Sequence, residues 1–279
     1  MNVTVQVPLC LTVLVDNTSP SADLLAEHGL ALLLETDRGV VLFDTGASTH
    51  ALAANAARLG VSLSGVTFVV LSHGHYDHTG GLPAVLAAAP SARVHYHWRC
   101  TVQRWGRRWW VRKPIGMPAE SRTALGRLRH VSVGKPQALA EGLLLSGPIP
   151  GPAAPAQKGF LADTHSGPRP DTFEDEMFAL VRTAPGWVLV TGCCHRGVEN
   201  TLAHAMTLTG GEPVHAVLGG LHLKDFRPRD LEPVLAALRG AGVREVLCGH
   251  CTGEAAQEYL AGHLESRVQP IHVGLRYKA

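Results

Sequence analysis

Short, mainly apolar runs that end in glycine and histidine recur along this chain. They cover residues 66–71, 187–191, 215–218 and 245–247, and each is followed within a few positions by glycine and by histidine. A short apolar run bounded by turn residues is typical of a buried strand. The pattern therefore predicts buried strands whose ends deliver histidine side chains through glycine-containing turns.

Other strands and helices follow from the same pattern of apolar and polar positions. Strands are predicted at residues 3–15, 30–35 and 40–43, and Asp37-Arg38-Gly39 is typical of a hairpin turn between the last two. Helices are predicted after several of the strands, at residues 51–59, 82–89, 198–208 and 231–238. Strands followed by helices in both halves of the chain indicate an α/β protein.

Composition narrows the class of protein. The chain has 279 residues, 46% hydrophobic and 17% charged, as expected of a folded globular protein, and its net charge of +2 gives no argument for a nucleic-acid or membrane partner. No apolar run reaches the roughly 18 residues of a spanning helix, and no Lys or Arg precedes the apolar N-terminal stretch. We expect a cytoplasmic protein with six reduced cysteines and a small-molecule substrate. The sequence does not indicate an oligomeric state.

The densest group of potential metal ligands is His73-Gly-His75-Tyr-Asp77-His78. In an extended segment His73 and His75 project to the same side, whereas Asp77 and His78 turn the other way. This arrangement suits two adjacent cations, one bound by imidazoles and the other by a carboxylate and an imidazole, a ligand set that zinc favours. The alternative is a polar loop that is rich in histidine by chance, which four convergent ligands after a buried strand disfavour.

Residues 98–118 mix tryptophan with arginine and lysine. One interpretation is a lid insertion that binds substrate through Trp109, Arg108 and Arg112, because tryptophan stacks on flat rings and arginine pairs with phosphate. A second is an amphipathic helix with its tryptophans in the core. Binding of single-stranded nucleic acid is a third, less favoured because the overall charge is balanced.

The chain between the two halves is rich in glycine and proline at residues 147–170. A long loop of this kind is either functional or mobile. The acidic run Glu174-Asp175-Glu176 that follows is interpreted most simply as a solvated face.

Six short motifs together carry a family resemblance. They are residues 27–30 (EHGL), 42–46 (LFDTG), 71–78 (LSHGHYDH), 191–195 (TGCCH), 219–223 (GGLHL) and 250–253 (HCTG). In this order they resemble the metallo-β-lactamase superfamily, and in particular its dihydropteroate-synthase-like branch of metal-dependent hydrolases. The resemblance implies a four-layer αββα sandwich over a single domain, residues 1–279, with the site between the two sheets. Cys194 departs from the pattern, since a serine is expected there.

The resemblance also implies a set of site residues. His73, His75 and His195 would bind one divalent metal, and Asp77, His78 and His250 the other, with zinc favoured over manganese or iron. Asp44 would support the histidines by hydrogen bonds, and with Asp77 and His222 it forms the candidate catalytic group. His222 could bind metal, contact substrate or line the site.

The cysteines near these motifs have several interpretations. Cys193 and Cys194 could coordinate metal, but we interpret them as small buried residues. Cys248 and Cys251 have the spacing of a redox pair or of half a structural zinc site, which the absence of a second such pair disfavours.

The function implied is that of a metal-dependent hydrolase, in which a hydroxide held by the two metals attacks a small anionic or phosphorylated substrate. One alternative is a dihydropteroate-synthase-like transferase acting on a pterin-methyl diphosphate. A metal-binding or sensor protein without catalysis is another.

Overall fold

A computed structural model describes residues 5–153 and 159–279. The strands are β1 Cys10–Val15, β2 Ala31–Thr36, β3 Gly39–Phe43, β4 Phe68–Val70, β5 Arg93–Tyr96, β6 Arg104–Arg108, β7 Val111–Pro114, β8 Arg129–Ser132, β9 Gln137–Ala140, β10 Leu143–Leu145, β11 Phe160–Ala162, β12 Arg169–Pro170, β13 Ala179–Thr183, β14 Gly186–Thr191, β15 Val214–Gly220, β16 Glu245–Gly249, β17 Arg267–Pro270 and β18 Arg276–Lys278. The helices are α1 Thr49–Arg58, α2 Tyr76–Thr79, α3 Leu82–Ala88, α4 Ala119–Arg127, α5 Val198–Leu208, α6 Pro228–Gly240 and α7 Glu254–His263.

Two seven-stranded sheets form the centre of the molecule. Their strand orders are β18-β1-β2-β3-β4-β5-β8 and β17-β16-β15-β14-β13-β10-β9. The strands that precede the histidine motifs run parallel to their neighbours, since β3 pairs with β4, and β14, β15 and β16 pair in succession. Parallel neighbours bring their carboxyl ends, and the residues that follow, to the same edge of each sheet.

The hydrophobic residues divide into three layers, which explains why the strands read as nearly continuous apolar runs. Leu32 and Phe43 of the first sheet pack with Val188 and Leu218 of the second in a central layer. Alternate residues such as Leu33 pack outward under α1, α3 and α4, and the far face of the second sheet packs under α5, α6 and α7. With both faces of each sheet covered, the layers run helix, sheet, sheet, helix, as the αββα expectation stated.

The local predictions near the N-terminus were largely correct. Asp37 and Arg38 form the turn of the β2–β3 hairpin, in which Thr36 pairs with Gly39. The first strand was predicted too long, because it begins at Cys10, and Pro8 before it has no N–H to donate to a ladder. Residues 1–4 of that prediction lie outside the described residues.

The tryptophan-rich segment is a β-hairpin, so its interpretation as an amphipathic helix was wrong. Strands β6 and β7 belong to a four-stranded sheet with the order β12-β11-β6-β7. In the described part of the chain no helix is both long and apolar enough to cross a bilayer. The single domain over residues 1–279 stays a prediction.

Candidate metal centre

The predicted histidines converge because four strands end at one edge of the sandwich. Asp44 follows β3, Cys194 follows β14, His222 follows β15 and His250 follows β16. All four have positive φ, at 59°, 62°, 51° and 50°. Left-handed backbone is costly for residues other than glycine and concentrates at functional sites, where the surrounding structure holds it in place. Here it turns the backbone sharply at the end of each strand; the side chains of Asp44, His222 and His250 lie at the edge, whereas that of Cys194 packs in the core.

One group of donors is formed by His73, His75 and His195. His73 Nε2 lies 3.0 Å from His75 Nδ1, and the ring of His195 lies 4.8 Å and 4.9 Å from the rings of His73 and His75. One nitrogen from each imidazole lies within 4.8 Å of the others, and all three residues are buried. The structure thus brings together the three histidines predicted for one metal.

The second group is formed by Asp77, His78 and His250, joined by His28. His78 Nε2 lies 3.2 Å from His250 Nε2, and Asp77 Oδ2 lies 3.8 Å and 3.5 Å from these two nitrogens. His28 Nε2 lies 3.2 Å from Asp77 Oδ2. His28 was not predicted as a site residue, although its motif Glu27-His28-Gly29 was part of the resemblance.

Asp44 is connected to both groups by hydrogen bonds, directly to His78 and through Ser72 to His73. Its Oδ2 lies 2.6 Å from His78 Nδ1 and accepts a hydrogen bond from Ser72 Oγ at 2.7 Å. Ser72 Oγ in turn lies 2.9 Å from His73 Nδ1. Asp44 accepts from His78 and from Ser72, whose Oγ is left to accept from His73, so the Nδ1 atoms of both histidines carry protons. The Nε2 of the neutral His73 then presents a lone pair to the neighbouring histidines, and that of His78 does so when its ring gives up its second proton. A Cβ on Gly192 would lie 2.1 Å from Ser72 Oγ, so this arrangement requires glycine there.

His250 is oriented by residues from the loop after β1. Its Nδ1 lies 3.0 Å from Asn17 Oδ1, and its backbone N–H donates to Asp16 Oδ1 at 3.0 Å. Asn17 Nδ2 also donates to the carbonyl of His250 at 3.0 Å. Neither Asp16 nor Asn17 was identified from the sequence, because they precede His250 by more than two hundred residues and carry no motif.

The acidic run before β13 is buried, so its interpretation as a solvated face was wrong for two of its three residues. Asp175 and Glu176 are 0% and 1% exposed. Glu176 accepts hydrogen bonds from the backbone N–H groups of His195 and Arg196 at 2.7 and 2.6 Å. It fixes the loop that carries His195, and burial raises the pKa of its carboxyl to about 7.

The cysteines differ in their positions. Cys193 Sγ lies 3.2 Å from His78 Nε2 and within 4.8 Å of donors of His73 and His78, so it faces the metal ligands. Cys194 and Cys248 pack in the core under α5, α6 and α7, as small buried residues do. Cys251 lines the cleft beside Cys193 and His250. Because Cys248 lies in the core and Cys251 in the cleft, the two cysteines do not belong to one group of potential metal ligands in the described part of the chain.

The electrostatics keep most of these imidazoles neutral, which is the form that binds metal. Burial lowers the pKa of His75 to about 3 and that of His250 to about 4. Burial and the neighbouring imidazoles also hold the pKa values of His73 and His195 well below normal. For His78 burial acts in the same direction, but the carboxylates of Asp44 and Asp77 overcome it and raise the pKa to about 9.

The cleft has room for a small substrate and continues under the hairpin. It has a volume of about 180 Å³ and is lined by residues of both groups together with Tyr76, Ile115, Phe160 and His222. A groove of about 400 Å³ shares Ile115 and Phe160 with it and extends along Gly106, Val111 and Lys113.

The three residues predicted to bind substrate lie at or near the tip of this hairpin. Trp109 is at the turn, 77% exposed, with φ 58°. Arg112 is exposed on β7, between the groove-lining Val111 and Lys113, so strand alternation directs it to the other face. The side chain of Arg108 is outside the described part of the structure.

The donor set fits divalent metal ions. Nε2 of His75 and Nδ1 of His222 are buried and have no hydrogen-bond partner within residues 5–153 and 159–279. Buried polar atoms normally have partners, and a bound ion accounts for such a gap when imidazole and carboxylate donors surround it.

The sandwich and the cluster of histidine and aspartate at its edge define a metallo-β-lactamase-type protein, and the chain belongs to the metallo-β-lactamase superfamily. The model of that superfamily matches residues 25–156. The crystal structure of Tm1679, "a metal-dependent hydrolase of the β-lactamase superfamily", is 30% identical, with a TM-score of 0.81 over 97% of this chain and 99% of that one. Identity at this level over nearly the whole of both chains confirms the family and the fold.

Two proteins of Methanocaldococcus jannaschii are also similar. One is named 7,8-dihydropterin-6-methyl-4-(β-D-ribofuranosyl)-aminobenzene-5'-phosphate synthase and is 24% identical over 281 residues, covering 89% of each chain. The other is an uncharacterised protein, 27% identical over 246 residues, covering 87% of this chain and 90% of its own.

Proposed function

We propose that this protein is a metal-dependent hydrolase of a small anionic or phosphorylated molecule. The observation that carries the proposal is the burial of two histidine-rich donor groups, side by side, at the end of a cleft. The 30% identical relative described as a metal-dependent hydrolase supports the same reaction class.

Each group would hold one divalent ion, with His73, His75 and His195 on one and Asp77, His78 and His250 on the other. Such ions supply Lewis acidity and lower the pKa of water towards neutrality. Asp44 orients His73 and His78 through the contacts described above. Phe160 lines the cleft with its ring 5.5 Å from the rings of His75 and His195, and would limit the access of water to them. His222 Nδ1 is placed to contact either substrate or metal.

The groove under the hairpin supports an anionic substrate. Lys113 of β7 and Arg107 of β6 are cations that line the groove, and Ile115 and Phe160 connect the groove to the cleft. A substrate whose reacting group lies among the histidines would place an attached phosphate or carboxylate near Lys113. Trp109 and Arg108 remain proposed substrate contacts at the hairpin tip, and Arg112 would be one only for a substrate that extends to the other face of β7.

A second candidate is a dihydropteroate-synthase-like transferase acting on a pterin-methyl diphosphate. The name of the first M. jannaschii relative, a synthase of a phosphorylated dihydropterin compound, favours it. The same groove would then bind the diphosphate.

Metal analysis is the first test of the proposal. We expect the purified protein to approach two metals per chain after incubation with zinc or manganese. Asp77→Ala should lower this number towards one by removing the only carboxylate of the second group, and His73→Ala should impair the other site. A wild-type protein that stays metal-free in excess zinc and manganese would exclude the assignment.

A substrate panel then separates the candidates. Phosphomonoesters, phosphodiesters, lactones and a pterin diphosphate should each be incubated with the metal-loaded protein, with and without an aromatic amine. A hydrolase needs only water, whereas turnover that depends on the amine identifies the transferase. A fully loaded protein that turns over none of them would favour the non-catalytic alternative.

A further inference from the structure

One arginine is completely enclosed beside the metal centre. Arg104, the first residue of β6, is 1% exposed. Its Nε donates to Asp171 Oδ2 and its Nη2 to Asp175 Oδ1, both at 2.6 Å, and its Nη1 donates to the carbonyl of Arg99 at 3.0 Å. One guanidinium therefore binds two buried carboxylates and a carbonyl, and each carboxylate has a second contact.

The carboxylate of Asp175 contacts the loop between two predicted ligands. Asp175 Oδ2 accepts a hydrogen bond from the backbone N–H of Gly74 at 2.8 Å. Gly74 separates His73 from His75, so this bond fixes the peptide that sets their spacing. The contact is close, because a Cβ on Gly74 would lie 2.3 Å from Arg104 Nη1 and 2.2 Å from the carbonyl oxygen of Cys100.

The carboxylate of Asp171 is connected to the third predicted ligand through an aromatic ring. Asp171 Oδ1 accepts a hydrogen bond from the backbone N–H of Phe173 at 2.9 Å. The ring of Phe173 stacks on that of His195, with centroids 4.1 Å apart and planes inclined by 9°. Phe173 has φ 50°, so its backbone is held in a left-handed conformation where the Asp171 bond ends.

The chemistry of this contact requires arginine. Nε and Nη2 lie on one rigid planar fork and can hold two carboxylates at once, whereas a lysine ammonium is a single point charge without that geometry. A buried ion pair is poor evidence for stability, since its desolvation cost offsets much of its attraction, but it can specify a unique arrangement. Here the arrangement specified is that of the loop before β13 relative to the loop that carries His73 and His75.

We infer that Arg104 is a positioning residue for the group of His73, His75 and His195. Its two carboxylate partners aim all three of these ligands, through Gly74 on one side and Phe173 on the other. Neither partner contacts Asp77, His78 or His250. This inference rests on the proposed metal assignment and adds a prediction of its own, that loss of the Arg104 fork weakens one metal site selectively.

The test separates the two sites by combining variants. Arg104→Lys is made in the Asp77→Ala background, which keeps the three-histidine group, and in the His73→Ala background, which keeps the other. Zinc affinity of the metal-free proteins is measured by competition with a chromophoric chelator, and folding by circular dichroism and thermal unfolding without metal. We expect affinity to fall about 10–100-fold in the first background, as for other residues that orient metal ligands, and to stay unchanged in the second.

Two milder variants keep the inference testable if Arg104→Lys fails to fold. Asp175→Asn should act through Gly74, and Phe173→Leu through His195, each weakening zinc binding in the Asp77→Ala background only. Arg182→Lys is the matched control. Arg182 lies on β13 of the second sheet, remote from the cleft, and its Nη1 donates to Glu212 at 2.8 Å. Equal losses in both backgrounds, or a lower Tm with unchanged zinc affinity, would show a merely structural role and overturn the inference. Failure of wild type to bind zinc would instead count against the proposed function.

Discussion

At the scale of one residue, the carboxylate of Asp44 connects the two groups of proposed metal ligands. It accepts from Ser72 Oγ and lies against His78 Nδ1, and through Ser72 it also sets the tautomer of His73. One residue from each proposed ligand group therefore depends on it. Loss of such supporting bonds typically costs about 10–100-fold in metal affinity or activity.

Asp44→Asn tests this role without disturbing the backbone. Asparagine tolerates the positive φ of Asp44 better than most residues, so the fold should remain. Asp44 accepts from the backbone N–H of Ser72 at Oδ1 and from Ser72 Oγ and His78 at Oδ2, and an amide has only one accepting oxygen to replace these two. We therefore expect zinc affinity to fall about 10–100-fold, measured by chelator competition.

Asp37→Asn is the matched control, because Asp37 is an exposed aspartate in the β2–β3 turn. It should bind zinc like the wild type. If Asp44→Asn also matches the wild type in affinity and in rate on any identified substrate, Asp44 is only a turn residue.

The β6–β7 hairpin illustrates the scale of one element. Alternation along β7 directs Val111, Lys113 and the following Ile115 to the groove and leaves Arg112 on the other face. The hairpin thus presents a cation and apolar side chains towards the cleft, while Trp109 and Trp110 stay exposed at its turn.

Neighbouring residues of this strand allow a matched test of substrate binding. Lys113→Ala should raise KM for an anionic substrate about tenfold, since that corresponds to about 1.4 kcal/mol, close to the value of a hydrogen bond to a charged group. Arg112→Ala removes the same charge from the other face and should change KM less. Both variants should keep the metal content of the wild type.

Equal effects of the two variants on KM would show that only the net charge of the hairpin matters. A larger effect of Arg112→Ala would place the substrate on the exposed face of the hairpin. That outcome would agree with the prediction that Trp109 and Arg112 contact substrate.

On the scale of the whole molecule, the site joins the two sheets. His73, His75, Asp77 and His78 follow β4 of the first sheet, whereas His195 and His250 follow β14 and β16 of the second. A metal bound by both groups of loops favours the folded state over the unfolded chain and stabilises the docking of the two sheets.

Metal removal should therefore destabilise the entire sandwich. A ligand at 1,000 times its dissociation constant adds about 4 kcal/mol to the free energy of unfolding. We expect a chelator to lower the Tm by several degrees. Asp77→Ala/His195→Ala, which removes a ligand from each group, should have the same Tm with and without chelator. A wild-type Tm that does not respond to chelation would contradict the joint role of the sheets.

The sequence predicted the strands before the ligand-bearing motifs, four of the helices and the motifs themselves, because each depends on neighbouring residues. Buried strands show as apolar runs wherever both faces of a sheet are covered, and the helix at Val198–Leu208 has the predicted bounds. Where the local pattern was ambiguous, one of the open interpretations, the amphipathic helix, was wrong. Residues 104–114 carry alternating cations and tryptophans that fit a helix face or a strand pair, and pairing with β11 decided for strands.

By itself the sequence determined the buried strands and the histidine motifs, since apolar runs and short motifs are local properties of the chain, and the resemblance carried by those motifs implied the sandwich and the metal ligands. Only the tertiary structure decided what surrounds those ligands. Asp175, placed among exposed acids by its neighbours in sequence, is buried against Arg104, 71 residues away, and Asn17 orients His250, 233 residues away. Contacts across such distances depend on how the two sheets pack, and no local pattern of residues encodes that packing.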